Sequence, residues 1–169
     1  MLSSIHIRDL AIVSSVELEL QPGMTALTGE TGAGKSILID ALGLALGERA
    51  DNGMIRTDCE RAEINAVFQL QGNPELREWL QEQALDNGDE CILRRMLVRD
   101  GSSKAFINGT PVTLKALQSL GERLVDIHGQ HAHQSLLHRN QQRELLDGYA
   151  QHPELITSLA QIYSDWEQT

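Results

Sequence analysis

Gly29-Glu30-Thr31-Gly32-Ala33-Gly34-Lys35-Ser36 fits the pattern G-x-x-x-x-G-K-[ST] without a mismatch. A loop that wraps phosphate oxygens must turn successive backbone N–H groups inward. That demands backbone angles and close approaches which glycine tolerates best. Gly29, Gly32 and Gly34 supply that freedom. Lys35 is then a point charge for the β- and γ-phosphates, and Ser36 offers its hydroxyl to Mg2+. Glu30, Thr31, Ala33 and Ile37 join the nucleotide-binding set as members of the loop and of the first helical turn. The context fits on both sides. Met24–Thr28 reads as a short strand, and Lys35–Leu46 is continuous helix former closed by Gly47 in a C-cap position. The helix aims its positive end at the anion. A nucleoside triphosphate with Mg2+ is the ligand this stretch implies, and the loop itself does not choose between ATP and GTP.

Upstream, Ile5 and Ile7, then Val16, Leu18 and Leu20, alternate with polar neighbours as half-buried strands do. Gln21-Pro22-Gly23 is a turn. Downstream, Glu48–Glu60 reads as a polar loop and Glu63–Leu70 as a strand. Asn73-Pro74 caps and opens a helix to about Ala84. Cys91–Val98 and Ser103–Ile107 read as strands joined through Asp100-Gly101, a hairpin signal. Asn108-Gly109 turns the chain again. Thr113 caps a helix to Leu120, and Leu124–Ile127 reads as a short strand that runs into a histidine-rich loop, His128–His133. Helices are expected over about Arg139–Leu146 and Glu154–Gln168.

The chain has 169 residues, one domain's worth, and its 41% hydrophobic content excludes a disordered polymer. With 4% aromatics the core must be aliphatic. Lys plus Arg is 14 and Asp plus Glu is 24, giving a formal charge of −10, which argues against a surface coated for nucleic acid. A local patch of Arg94, Arg95, Arg99 and Lys104 competes with the reading of a solvated hairpin. The two cysteines, Cys59 and Cys91, have no metal-like spacing, and a disulfide between them is disfavoured. Nothing resembles a signal peptide or a membrane span, so the expected location is cytoplasmic.

In small P-loop kinases the loop usually follows the first strand directly. Here two strands come first, which resembles the ATPase heads of the ABC class, where an antiparallel β-layer precedes the Walker A strand. Two blocks tighten the likeness. One joins Ile7-Arg8-Asp9-Leu10-Ala11-Ile12-Val13 to Gly23–Leu42, and the other is Asp126-Ile127-His128-Gly129-Gln130-His131-Ala132-His133-Gln134-Ser135-Leu136-Leu137. Together they resemble the N-terminal part of the RecN family of bacterial DNA repair proteins, relatives of the structural maintenance of chromosomes (SMC) proteins. The resemblance runs over essentially the whole chain. Departures are Asp9, where the wider group often has Asn, and Ala11, where many relatives carry a basic residue; no side-chain contact to the nucleotide is carried over from that loop.

The resemblance implies an α/β fold, a P-loop NTPase of ABC/SMC head type. The chain would be its N-terminal lobe, an antiparallel β-layer plus Walker A strand–loop–helix ending in the root of a coiled coil. Residues 1–150 would form the lobe and 151–169 the start of the coiled-coil helix. The resemblance implies ATP and Mg2+ as cofactors, DNA double-strand break repair and recombination as the task, and a nucleoid-associated location. Gln130 matches the Q-loop glutamine, whose amide oxygen ligates Mg2+ beside Ser36 while its NH2 orients a water near the γ-phosphate. Lys35, Gln130 and Arg56 are the catalytic candidates. Arg56 would help complete the site of a dimerised head, with Arg49 a competitor because the spacing from Gly47-Glu48 is shifted.

Other constellations are weaker. His128, His131, His133 and His138 are crowded, but their spacing matches no recognised zinc set. Leu124-Val125-Asp126 fails as a Walker B strand, since Arg123 interrupts the apolar run and Ile127 stands where the catalytic Glu belongs. Leu155, Leu159, Ile162 and Trp166 keep heptad spacing over too short a stretch to specify a coil. No ABC signature, Walker B pair or switch histidine is found. The expectation is therefore one lobe of a split head. Its partners would be the C-terminal lobe of the same protein and a second head joined by ATP-dependent dimerisation. DNA would belong to the parent protein, with weak or no binding by this chain, and no membrane is involved. Alone, the chain would bind nucleotide weakly and hardly hydrolyse it. Alternatives are a small P-loop kinase, a non-catalytic ATP-dependent clamp or adaptor, and the lobe of another SMC-like or recombination ATPase.

Overall fold

Period-2 alternation builds a six-stranded sheet of order β2-β1-β3-β4-β5-β6, every neighbouring pair antiparallel. The computed structural model describes residues 1–28, 33–125, 142, 146–147, 149–150 and 152–167. The strands are β1 Leu2–Leu10, β2 Val13–Glu19, β3 Arg61–Gln69, β4 Glu90–Val98, β5 Lys104–Ile107 and β6 Thr110–Val112. On β3 the buried residues are Ala62, Ile64, Ala66 and Phe68; on β4 they are Cys91, Leu93, Arg95 and Leu97. The register sets Phe68 opposite Cys91 and Ala66 opposite Leu93, so one face of the sheet is a continuous apolar surface.

Helix α1, Ala33–Ala45, covers that face with Ile37, Ala41, Leu44 and Ala45, the spacing of one helical stripe. Gly47 ends it as expected, with φ +106°. The Glu48 N–H reaches the Gly43 carbonyl at 3.0 Å and the Gly47 N–H reaches Leu44 at 3.2 Å, a Schellman closure. A Cβ on Gly47 would stand 2.7 Å from the Gln118 backbone nitrogen. One on Gly121 would stand 2.4 Å from the Leu46 carbonyl oxygen. Two glycines thus let the end of α1 approach α3, Leu114–Leu124, whose N-cap is Thr113 as expected. Helix α2, Pro74–Glu82, starts from the Asn73 cap and buries Leu76 and Leu80.

Two sequence expectations need correction, and one strand was not foreseen. Met24–Thr28 is not a strand: it has no ladder partner among the described residues, and every one of its side chains is exposed. An isolated strand leaves its N–H and C=O groups to water and buries nothing, so apolar spacing alone does not create one. Leu124 is the last residue of α3 rather than the start of a strand. The turn at Asn108-Gly109 (φ +49° and +80°) leads into β6, which was too short to show a period. Asn108 fastens this hairpin. Its Oδ1 accepts from the Ile92 N–H and its Nδ2 donates to the Leu85 carbonyl, both at 2.7 Å. Cys59 and Cys91 are both free thiols.

The chain divides into two compact units, Met1–Asp126 and Ile127–Thr169. In the second, helix α4, Pro153–Glu167, has Leu155, Leu159, Ile162 and Trp166 exposed. The helix expected over Arg139–Leu146 falls, apart from Gln142 and Leu146, outside the described residues.

Candidate nucleotide-binding site

The first turn of α1 carries Gly34, Lys35, Ser36 and Ile37. Ile37 is 8% exposed and anchors the turn to the sheet, so any part it takes in binding phosphate falls to its backbone. Ser36 is exposed and Lys35 half-buried. No acidic residue lies in this first turn of α1, where a carboxylate would oppose an anion at the positive helix end. A Cβ on Gly34 would meet no atom of the described residues within 4 Å. Protein packing therefore does not demand glycine there, whereas close approach of a phosphate does. A cation, a hydroxyl, backbone amides and the positive end of a helix form a donor set that fits a Mg2+-triphosphate. Gly29, Glu30, Thr31 and Gly32 lie outside the described residues, as does the side chain of Ala33. So do Gln130, Asp126 and the histidines His128, His131, His133 and His138.

The two competing arginines stand in different surroundings. Arg49 is exposed and lines an open cleft with Gly47, Glu48, Leu114, Lys115 and Gln118. Arg56 is tied to the turn between β1 and β2. Its guanidinium donates to the Ile12 carbonyl, and its backbone N–H donates to Asp9 at 2.9 Å. Leu10 and Ile55 add an antiparallel bridge, and Ala11 N–H donates to Met54 at 2.6 Å. Asp9 at the end of β1 and Ala11 in the turn hold φ values of +54° and +50°. Such angles disfavour residues with a Cβ, and so many tertiary bonds are what hold them there. Sequence reading missed this fastening because alanine gives no local signal of a positive φ.

The arginine-rich hairpin is not a basic surface patch. Strand alternation sends Arg95 to the core face, 2% exposed, where its Nη2 donates to Ser103 Oγ at 2.8 Å and burial lowers its pKa. Arg94 faces the other way, pairs with Glu63 at 2.7 Å and lies over the Phe106 ring. Burial works against the Glu63 charge, yet the hydrogen bonds from Arg94 and Asn65 outweigh it and hold the carboxyl below its usual range. Arg99 directs its side chain to backbone carbonyls.

Among the described residues no group of three His, Cys, Asp or Glu is arranged to hold a metal ion. No helix among them is long and apolar enough to cross a membrane.

A family model described as an AAA domain matches residues 4–167. The chain is 50% identical over 168 residues to DNA repair protein RecN of Vibrio cholerae, covering 99% of this chain and 30% of that protein. It is 49% identical over 170 residues to DNA repair protein RecN of Haemophilus influenzae, again covering 99% and 30%. The chain thus spans about a third of the length of the curated relatives it matches. Among solved structures, an SMC head domain with an extended coiled coil from Pyrococcus furiosus, bound to the C-terminal domain of ScpA, superposes with a TM-score of 0.68 at 18% identity. That match covers 99% of this chain and 46% of the other. A structure of an SMC ATPase, described in terms of ATP-driven dimerisation and DNA-stimulated activation, gives 0.63 at 19% identity, covering 86% and 97%. These likenesses show the fold of an SMC-type head.

Proposed function

The chain belongs to the AAA-domain family, and from that premise we propose that it is the ATP-binding lobe of an SMC-like ATPase acting in DNA double-strand break repair and recombination. The observation that carries this reading is the identity to two DNA repair proteins along 99% of the chain, with Gly34, Lys35 and Ser36 in the first turn of α1.

Lys35 and the amides of residues 29–37 bind the phosphates of ATP. Ser36 and Gln130 would hold Mg2+, which shields the phosphate charge and polarises the γ-phosphate when bound. Gln130 also orients the attacking water. The sequence carries no Walker B glutamate to act as general base and no ABC signature. Hydrolysis therefore waits on a C-terminal lobe of the same protein and on a second head engaged through ATP. Arg56 joins that composite site. Its present partner, the Ile12 carbonyl, is a neutral acceptor that a phosphate oxygen outcompetes as a charge-assisted partner. Residues 1–150 form the lobe, and 151–169 begin the coiled coil. DNA contact belongs to the whole protein, in the cytoplasm on the nucleoid.

In the full-length protein Lys35→Ala abolishes ATP binding, measured by equilibrium titration; unchanged affinity overturns the phosphate site. Gln130→Ala spares binding and lowers turnover; a wild-type rate removes Gln130 from the mechanism.

A further inference from the structure

A polar network sits where β1 ends, β3 begins and β4 ends. Arg99 immediately follows β4. Its Nε donates to the Cys59 carbonyl and its Nη2 to the Arg56 carbonyl, both at 2.8 Å. Its backbone N–H donates to Glu60 at 2.9 Å. One residue thereby spans the loop from Arg56 to Glu60. Inside that loop the Cys59 N–H returns to the Arg56 carbonyl at 3.1 Å, and Asp58 holds a φ of +65°. The loop in turn grips the β1–β2 turn through the Arg56 guanidinium on the Ile12 carbonyl.

Two features of these bonds decide what they do. The planar guanidinium fork serves two carbonyls at once in a fixed direction, which an ammonium group does not reproduce. The Cys59 and Arg56 carbonyls lie on either side of the loop's return bond, so these two bonds fix its geometry. The Arg56 carbonyl is bonded at the residue itself. Whatever direction the Arg56 side chain takes, its backbone origin is set by Arg99.

We propose that Arg99 is a positioning residue for Arg56: it fixes the backbone from which Arg56 reaches the nucleotide of an engaged head. This rests on the proposed assignment of Arg56 to the composite site. Arg99 acts only through the loop and touches no nucleotide.

The test is a double-mutant cycle in the full-length protein, read by steady-state ATP hydrolysis. Arg99→Ala is expected to lower kcat about tenfold with KM for ATP within about twofold of wild type. Arg99→Lys falls between the two. The double variant Arg56→Ala/Arg99→Ala is no slower than Arg56→Ala alone, because a group that acts through another adds nothing once that other is gone. Additive losses, or a change confined to KM, overturn the positioning role. A slow Arg56→Ala beside a wild-type Arg99→Ala overturns the positioning role and leaves the Arg56 assignment standing. A wild-type rate for Arg56→Ala overturns that assignment and the proposal with it. Thermal melts accompany each variant. If Arg99→Ala does not fold, Arg99→Lys takes its place in the cycle, and the same outcomes support or overturn the proposal.

Discussion

Strand β3 and the Met24–Thr28 segment are both short runs with apolar residues set among small and polar ones, and they end in opposite states. Along β3, Ala62, Ile64, Ala66 and Phe68 are each 0% exposed, whereas Met24 is 100% and Leu27 48% exposed. Hydrophobicity does not separate them, since methionine and leucine are as apolar as the residues of β3. Neighbours do: β3 pairs with β1 on one side and β4 on the other, and Met24–Thr28 has no ladder among the described residues. A strand is a property of its sheet, because only adjacent strands satisfy its N–H and C=O groups and cover its side chains.

The sharpest way to break this comparison is a pair of truncations in the isolated chain, read by urea denaturation. Phe68→Ala is expected to cost about 3–5 kcal/mol, the usual loss on emptying an aromatic core site. Leu27→Ala is expected to change stability by less than about 0.5 kcal/mol, as an exposed position does. A comparable loss at Leu27 would show that the segment is already packed. A smaller effect is expected at Asn108, whose two side-chain bonds tie β4 and the Leu85 carbonyl to the β5–β6 hairpin. Asn108→Ala removes both and leaves buried backbone groups unpaired, a loss of about 2 kcal/mol; a change near zero would mean that the hairpin is held elsewhere.

Next comes the one charged side chain on the sheet's apolar face among the described residues. Replacing Arg95 by Met removes a buried cation and keeps most of its volume, so the melting temperature is expected to hold or rise. Ser103→Ala instead strips that cation of its hydroxyl partner and costs about 1–2 kcal/mol. The reverse order of the two variants would show that Arg95 is paired more fully than through Ser103.

The smallest effect lies on the opposite face. The Glu63 carboxyl is held below its ordinary range in the folded chain. A native pKa lowered relative to the unfolded chain contributes stability that is in place above the unfolded value and is lost as pH falls through the lowered native one. Arg94 is 41% exposed on its side chain, so solvent screens the pair. Glu63→Gln is therefore expected to cost only about 0.5–1 kcal/mol at pH 7. The gap should close in acid; a gap that persists there would assign the loss to packing rather than charge.

Local features were legible because adjacent residues encode them. The G-x-x-x-x-G-K-S pattern is contiguous, and its Gly34-Lys35-Ser36 end lies in the first turn of α1. The caps Asn73, Thr113 and Gly47 act on amides and carbonyls within a turn of themselves. The period-2 spacing of β1, β3 and β4 predicts a half-buried layer before any partner is known. Those signals carried the antiparallel layer and helix α1, and the resemblance over the two motif blocks carried the family.

What only the tertiary structure decided rests on partners far along the chain. Arg95 sits in a run of arginines that reads as a surface patch, and only the register of β4 turned it inward. Met24–Thr28 reads as a strand, and only the absence of a neighbouring ladder among the described residues denied it. Arg56 meets the Ile12 carbonyl across 44 positions, and Arg99 meets Arg56 across 43. No window of sequence spans such a separation. The loop's own residues are ordinary, and the sheet that brings β1, β3 and β4 to one end made them a network.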